Sequence, residues 1–386
     1  MPSSLFAIAD SADFIAAPVH ATVSGEVSDT IVLVDPNSGQ KEPALLLTSD
    51  GKDKRVELPV SEDPEELSPN EILTRVREAG IVGLGGAVFP SHVKLAPPEG
   101  RKIDTVILNG CECEPYLTSD HRVMLEYGEK VLSGLNIIKK VLSPDNIFIA
   151  IEDNKEDAID HMEELIVAMG LKDNFKIVPL KSKYPMGAEK ILTKMILGRE
   201  VPIGGLPLHV GVVVHNVSTA KAIHDAVVEG KPFVERVVTV TGAVKNPKNL
   251  LVRFGTPLRS LIDYCGGIEG NANEVVLGGP MMGFSQFDLD FPVLKGTNGI
   301  IVKESTPINE QDCISCGKCI EVCPMYLMPT LLAKYAKAGR YDECKAAYID
   351  DCFECGACAY TCPANIPLVQ HIKVAKRELV KRAVKK

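Results

Sequence analysis

Along this chain the apolar residues change their period twice, and each change marks a different architecture. From about residue 81 to 232, short apolar runs alternate with segments of helical period. Asp104-Thr105-Val106-Ile107-Leu108, Ile147-Phe148-Ile149-Ala150-Ile151, Phe175-Lys176-Ile177-Val178 and Val210-Gly211-Val212-Val213-Val214 have strand length and β-branched content. Between them, Met124, Leu125, Val131, Leu132, Leu135 and Ile138 recur at helical spacing over 120–141. Residues 154–169, 186–198 and 218–229 read as further helices. The alternation predicts an α/β unit with a mostly parallel sheet and helices on both faces.

The flanks read differently. Residues 1–60 read as strands and turns, with Thr30-Ile31-Val32-Leu33-Val34 and Ala44-Leu45-Leu46-Leu47-Thr48 separated by Pro36-Asn37-Ser38-Gly39. The charged, proline-marked run from Glu62 to Pro69 is a linker, and Asn70 is expected to cap a helix that runs through Ala79 and ends at Gly80. Over 233–285 the pattern is that of a small α+β module. It has a strand at Val237-Val238-Thr239-Val240-Thr241, a short helix near Pro257–Tyr264, and a strand at Glu274-Val275-Val276-Leu277 before Gly278-Gly279-Pro280. A cysteine-bearing segment begins near Ile308, and 329–350 inside it is helical.

At 386 residues the chain has room for two to four domains. Net charge is −9, with a pI near 5.5, which argues against non-specific nucleic-acid binding. No window approaches the ~18 apolar residues of a membrane span. The N-terminus lacks a positive n-region and is interrupted by Asp10 and Asp13, so it does not read as a signal peptide. Any link to a membrane is therefore expected to run through partner subunits. The segment Lys373–Lys386 is basic; it reads as a solvated helix end whose cations suit the dipole, with contact to anionic lipid as the alternative.

The chemistry is concentrated in two copies of one spacing. Cys313-x2-Cys316-x2-Cys319-x3-Cys323-Pro324 is followed by Cys352-x2-Cys355-x2-Cys358-x3-Cys362-Pro363. A 4Fe–4S cube needs four thiolates at its corners. The x2 gaps supply three from one short loop, and the fourth cysteine of each run ligates the other cube. This assigns Cys313, Cys316, Cys319 and Cys362 to one cluster and Cys352, Cys355, Cys358 and Cys323 to the second. Gly317 and Gly356 fall where the backbone passes close to sulfur. Structural zinc would need only four thiolates in paired knuckles, and disulfides do not suit the reducing compartment this spacing implies. Cys265 and Cys344 are expected on helix faces in the core, Cys113 as a small apolar packing residue and Cys111 as incidental, with a C-x-C metal site or redox pair as the alternative. His20 and His92 have no ligand spacing.

Four further elements fall at strand ends or helix starts. Gly83-Leu84-Gly85-Gly86-Ala87-Val88-Phe89-Pro90 lets the backbone approach a phosphate or a planar ring, or is a plain turn; it is not the dinucleotide fingerprint. Asn109-Gly110-Cys111-Glu112-Cys113-Glu114-Pro115 lies at the C-terminal end of a parallel strand, where ligands bind in such sheets. Tyr184-Pro185-Met186-Gly187-Ala188-Glu189-Lys190 opens a helix. His215-Asn216-Val217-Ser218-Thr219 follows the last strand, with Ser218-Thr219 as a helix N-cap. The four suggest one crevice.

These motifs, together with Ala17-Pro18-Val19-His20-Ala21-Thr22-Val23-Ser24-Gly25, Ser91-His92-Val93-Lys94-Leu95, Gly198-Arg199-Glu200-Val201-Pro202 and Gly278-Gly279-Pro280-Met281-Met282-Gly283, resemble the C subunits of the Rnf electron-transport complexes. That family is related to the flavin- and NADH-binding subunit of respiratory complex I. The resemblance implies four units: a partial lipoyl-like barrel-sandwich over 1–60, within which the chain opens; a Rossmann-like FMN/NADH-binding domain over 70–232; a soluble-ligand-binding β-grasp module over 233–290; and a helical two-[4Fe-4S] ferredoxin-like domain over 305–375. It implies non-covalent FMN cradled by Gly83, Gly85 and Gly86, with Lys94 near its ring or phosphate. Asn109, Glu112, Glu114, Tyr184, Gly187, Glu189, Asn216 and Thr219 would line the FMN and NAD(H) sites.

The implied function is that of an NADH/FMN-binding iron–sulfur subunit of a membrane ion-translocating ferredoxin:NAD+ oxidoreductase, peripheral on the cytoplasmic face. Its partners would be the other subunits, including a ferredoxin-accepting iron–sulfur subunit, and its redox chemistry would be cofactor-borne. A soluble flavoprotein corrinoid reductase, or an electron-relay docking subunit without nucleotide turnover, are the alternatives. The chain departs from the family at Val88, where Gly or Thr is usual, at Met186 and Cys111, and at His215, where the complex I relatives have Asn.

Overall fold

The computed structural model describes residues 7–384 except 11, 12, 14, 37, 38, 57 and 62. Residues 1–6 of the expected N-terminal unit, Asn37 and Ser38 of its turn, Glu62 of the linker, and Lys385 and Lys386 of the basic tail lie outside the described residues.

The N-terminal part is two small antiparallel pairs, β1 (Ala7–Ala9) with β2 (Val19–His20) and β3 (Gly25–Val34) with β4 (Lys41–Ser49). The second pair is a ribbon whose residues are mostly exposed. The helix after the linker is α1 (Pro69–Glu78), and its cap is Ser68, not Asn70. Ser68 Oγ accepts from the Glu71 amide at 3.3 Å, and Glu71 Oε2 accepts from the Ser68 amide at 2.8 Å. Pro69 decides this: its fixed φ suits the first helical position, so the cap is the residue before it.

After α2 (Ser91–Lys94) comes the sheet that organises the site. Its strands are β5 (Thr105–Gly110), β6 (Asn146–Glu152), β7 (Lys176–Leu180) and β8 (Val212–Asn216), in the order β7-β6-β5-β8, all parallel. The intervening helices are α3 (Ser119–Glu126), α4 (Gly128–Leu142), α5 (Glu156–Ala168), α6 (Glu189–Leu197) and, after β8, α7 (Val217–Val227). Val106, Leu108, Ile149 and Ile151 face one core with Leu132, Leu135, Ile138 and Ile223 of α4 and α7. Ile107, Ala150, Val212 and Val214 face the other, with Leu192 of α6. The period of two along each strand therefore produces two covered faces, as expected for a parallel sheet.

Two boundaries differ from expectation. The helix over 120–141 is two helices, because Tyr127 leaves the helical region (φ −130°, ψ 25°) and Gly128 then abuts α5. The strand at Val210–Val214 begins at Val212, after a turn over Pro207–Val210 closed by Gly211 at φ +77°. His215 and Asn216 are thus the last two residues of β8, level with Leu108 and Asn109 of β5. Asn216, not Ser218 or Thr219, caps α7.

The next module is a five-stranded sheet in the order β10-β9-β13-β11-β12, formed by β9 (Glu235–Gly242), β10 (Lys248–Arg253), β11 (Glu274–Leu277), β12 (Phe284–Gln286) and β13 (Gly299–Lys303), with α8 (Leu258–Tyr264) packed on it. β13 pairs with β9 and β11, so this sheet reaches beyond the boundary expected at 290. The C-terminal region holds α9 (Lys318–Glu321), α10 (Pro329–Lys337), α11 (Tyr341–Ala346), α12 (Ala357–Tyr360) and α13 (Leu368–Val384). The helical stretch expected over 329–350 is interrupted at Gly339, which sits at φ +67°. Cys265 and Cys344 are fully buried in apolar cores, where the sequence placed them.

Candidate functional site

The two cysteine runs fold into two pockets, and each pocket draws from both runs. Cys313, Cys316, Cys319 and Cys362 wall one. Cys323, Cys352, Cys355 and Cys358 wall the other. The loops achieve this with matching left-handed residues, Ser315 and Gly317 in the first and Glu354 and Gly356 in the second. Such residues tighten a loop until thiols spaced by two residues point to one side. None of the twelve cysteines is paired in a disulfide. Burial pushes the Cys358 thiol up to about 12, with neighbouring cysteines adding to it, whereas the Ser315 amide lowers that of exposed Cys313. Four convergent thiols per pocket fit a 4Fe–4S group in each.

The pockets differ in surroundings. Cys313 and Cys316 are exposed. The second pocket's loop is docked on the parallel-sheet domain. Tyr184 Oη donates to the Cys355 carbonyl at 2.6 Å. Asp351, just before this loop, pairs with Lys190 Nζ at 3.1 Å and accepts from the Gly204 amide at 3.3 Å.

The other half of the site lies across the C-terminal ends of β5 and β8. The glycine loop, 83–89, enters between α1 and α2. Gly86 sits at φ +109° with open space where a Cβ would be, and Gly85 is exposed. Val88 takes φ +54°, a costly conformation for a β-branched residue. From behind, Thr219 Oγ1 accepts from the Leu84 amide at 2.9 Å, and Arg236 Nη2 donates to the Leu84 carbonyl at 3.5 Å. Lys94 and Glu189 form an ion pair at 2.5 Å. His215 is buried and its Nε2 has no hydrogen-bond partner; burial, and then the Lys94 charge, hold it well below the usual imidazole range, so it is neutral. Glu114 Oε1 is likewise buried without a partner, and burial raises this carboxyl. Bare glycines beside orphaned buried polar atoms fit a bound polar planar group, as an FMN would be.

Several of the residues expected to line the crevice turn their polar atoms into the protein. Asn109 Nδ2 donates to the Gly187 carbonyl at 2.9 Å, and its Oδ1 accepts from the Cys111 amide. Gly187 must be bare, because a Cβ would lie 2.5 Å from the Cys111 carbonyl oxygen. Glu112 accepts from Ser119 Oγ and from the Asp120 and His121 amides, so it caps α3 from a distance. Burial and the nearby Asp120 raise its carboxyl to about 7. Asn216 Oδ1 accepts from the Ser218 amide, and its Nδ2 donates to Asp120 at 2.7 Å. These residues shape the loops. Thr219→Val tests this: it leaves the Leu84 amide without an acceptor, at about 1–3 kcal/mol. A lowered melting temperature with weakened FMN binding is the expected result, and unchanged FMN affinity counts against it.

Sequence reasoning missed Asp120, which accepts from Asn216 and Ser218, and Arg236, whose guanidinium is buried behind the loop with its pKa lowered to about 10. Arg236 at the head of an apolar run was the only hint. Cys111 and Cys113 are buried or nearly so, with both thiols raised chiefly by burial, Cys113 to about 12.

The sheet with ligand-side glycines at its strand ends, joined to two four-thiol pockets, defines an electron-transfer protein of flavin and iron–sulfur type. Residues 76–225 match the Nuo51 FMN-binding domain, 237–285 the SLBB domain and 310–366 the 4Fe-4S dicluster domain. The chain is 48% identical over 346 residues to the C subunit of the proton-translocating ferredoxin:NAD(+) oxidoreductase complex of Clostridium ljungdahlii, covering 88% of this chain and 75% of that protein. It is 47% identical to the Na(+)-translocating counterpart of Acetobacterium woodii, covering 95% and 83%. It therefore belongs to the family of C subunits of ion-translocating ferredoxin:NAD+ oxidoreductase complexes. An NAD+-reducing [NiFe]-hydrogenase in its H2-reduced state shares the fold, with TM-score 0.58 at 18% identity over 84% of this chain and 64% of that one.

Proposed function

We propose that this chain passes electrons between NAD(H), FMN and two [4Fe-4S] clusters as the nucleotide-side subunit of a membrane ion-translocating ferredoxin:NAD+ oxidoreductase. The observation that carries the reading is the docking of the second cysteine pocket, through Tyr184 and Asp351, on the domain that matches the FMN family. FMN supplies the switch between two-electron chemistry with NAD(H) and one-electron chemistry with the clusters. The chain's own residues bind and orient. Gly83, Gly85 and Gly86 form the cradle, held by Thr219 and Arg236. Lys94, Glu189 and Glu114 face the crevice, while Asn109, Glu112, Gly187 and Asn216 fix its loops. Cys313, Cys316, Cys319 and Cys362 hold one cluster, and Cys352, Cys355, Cys358 and Cys323 the other. The relay would be supplied by the clusters, with the docked pocket on the flavin-domain side and the pocket of exposed Cys313 and Cys316 toward solvent.

The units carrying these roles are the barrel-sandwich part over 1–60, the flavin domain over 70–232, the β-grasp module from 233 and the cluster domain over 305–375. Among the described residues no helix is long and apolar enough to cross a membrane. Attachment is through the other subunits, at the cytoplasmic face, with a ferredoxin-accepting iron–sulfur subunit among them.

The test is to reconstitute the chain anaerobically and add NADH while following flavin and iron–sulfur absorbance together. Bleaching of both is expected. Bound clusters without any flavin or NADH response would move the assignment to an electron-relay docking subunit, a reading that Val88 and His215 favour. Glu189→Ala frees Lys94 from its ion pair and is expected to weaken FMN or NADH binding about tenfold, the loss of one charge-assisted contact. Iron content should not change. Wild-type affinity for both ligands would remove Glu189 from the site.

A further inference from the structure

Three modules meet at one small junction, which uses the backbone of the second cysteine loop and none of the cradle glycines. Glu114, from the loop after β5, accepts from the Met281 amide at 3.0 Å. Gly279, in the same turn as Met281, must be bare because any Cβ there would overlap the Glu114 carboxylate. On the far side, the Met281 carbonyl oxygen lies 2.5 Å from where a Cβ on Gly356 would be, so Gly356 of the second cysteine loop is pressed against the β-grasp turn. Tyr184 closes the triangle by donating to the Cys355 carbonyl at 2.6 Å. The Lys190–Asp351 pair flanks it, with both side chains mostly buried. The first cysteine loop, 313–319, has no comparable tie to the sheet domain among the described residues.

We propose that Tyr184 is a positioning residue for electron transfer, holding the second cluster's loop against the flavin domain through the Cys355 carbonyl, with Glu114 and Met281 bracing it. This rests on the function proposed above and adds where the two cofactor regions are joined. The physical need is distance: transfer between two centres falls exponentially with the gap between them, so a loop free to move by an ångström loses rate as a misplaced reactant does. A tyrosine suits the task. Its ring is rigid and carries a single donor at its tip. The carbonyl of a ligand residue is the right target because fixing it fixes the ligand's Cα while leaving the thiolate free for iron. One electron crosses this junction at a time; no proton or bond changes at Tyr184.

The test is Tyr184→Phe in the reconstituted full chain, read by amide hydrogen exchange and by redox titration of the dithionite-reduced clusters without NADH. Exchange over 352–358 should rise about 3- to 10-fold, the range set by losing one hydrogen bond. Exchange over 313–319 should stay as in wild type. One of the two cluster midpoints should fall, because the lost donor dipole favoured the reduced, more negative cluster, and the other should hold. Lys190→Gln, which cuts the flanking ion pair without touching Tyr184, should also raise exchange over 352–358; it keeps the junction testable if the first variant does not fold. Unchanged exchange over 352–358 with two unchanged midpoints overturns the proposal. So does loss of FMN with an unaltered cluster loop, which would make Tyr184 a flavin-binding residue. A wild-type chain that takes up clusters but no FMN would overturn the proposed function alone, since both readouts report the junction without flavin.

Discussion

Replacing Cys362 by alanine should remove the cluster held by the first cysteine run and spare the one held by its own. Cys362 stands in the wall of the pocket formed by Cys313, Cys316 and Cys319, while its neighbours Cys352, Cys355 and Cys358 enclose the other pocket with Cys323. Iron should fall from about eight to about four atoms per chain, one cube of two. The location of the loss is the sharper readout. In Cys362→Ala, anaerobic alkylation should label Cys313, Cys316 and Cys319 and leave Cys352, Cys355 and Cys358 protected by iron. Cys323→Ala should give the mirror pattern. If Cys362→Ala exposes Cys355 and Cys358 instead, each run holds its own cluster and the crossed assignment fails. The first pocket, with two exposed thiols, should also lose iron to a chelator before the second, whose loop is covered by Tyr184 and Met281.

The grouping of thiols in the two pockets was readable from spacing because its cause is local: x2 gaps and left-handed residues bend one loop around one centre, and the next cysteine leaves the loop. The parallel sheet was equally readable, since Ile107 and Leu108 must face opposite cores whatever else happens. What the sequence hid depends on contacts remote along the chain. Asp120 and Arg236 read as ordinary charges, yet they sit behind the glycine loop because α3 and β9 bring them there. Glu112 looked like a ligand residue, whereas an N-terminus eight positions later claims its carboxylate. Tyr184 was legible as a residue of the crevice but not as a tie to Cys355, since only the docked cluster loop supplies that partner. Asn70 was misread for a local reason: Pro69 had already fixed the cap at Ser68.

Gly134 gives the clearest separation between local and tertiary logic. A glycine in mid-helix should be improved by alanine, which is favoured by about 1 kcal/mol in a helix interior. Gly134→Ala should do the reverse here. Gly134 is buried in the middle of α4 where that helix crosses α7, and a Cβ would lie well inside contact distance of the Ala220 carbonyl oxygen. That neighbour is backbone, so relief requires moving one helix, at about 1–3 kcal/mol for overpacking. Ala220 follows Thr219, and Thr219 holds Leu84 in the glycine loop. A displaced α7 therefore carries the latch away from the cradle, and FMN affinity should fall together with the melting temperature. Gly128→Ala is the control. Its Cβ would meet Leu165 Cδ1 at 2.5 Å, the far end of a side chain that can turn aside. It should cost less stability and leave FMN binding intact. Calorimetry and FMN titration of the two variants decide the matter: equal effects, or a stabilised Gly134→Ala, would mean that the α4–α7 crossing does not hold the cradle in place.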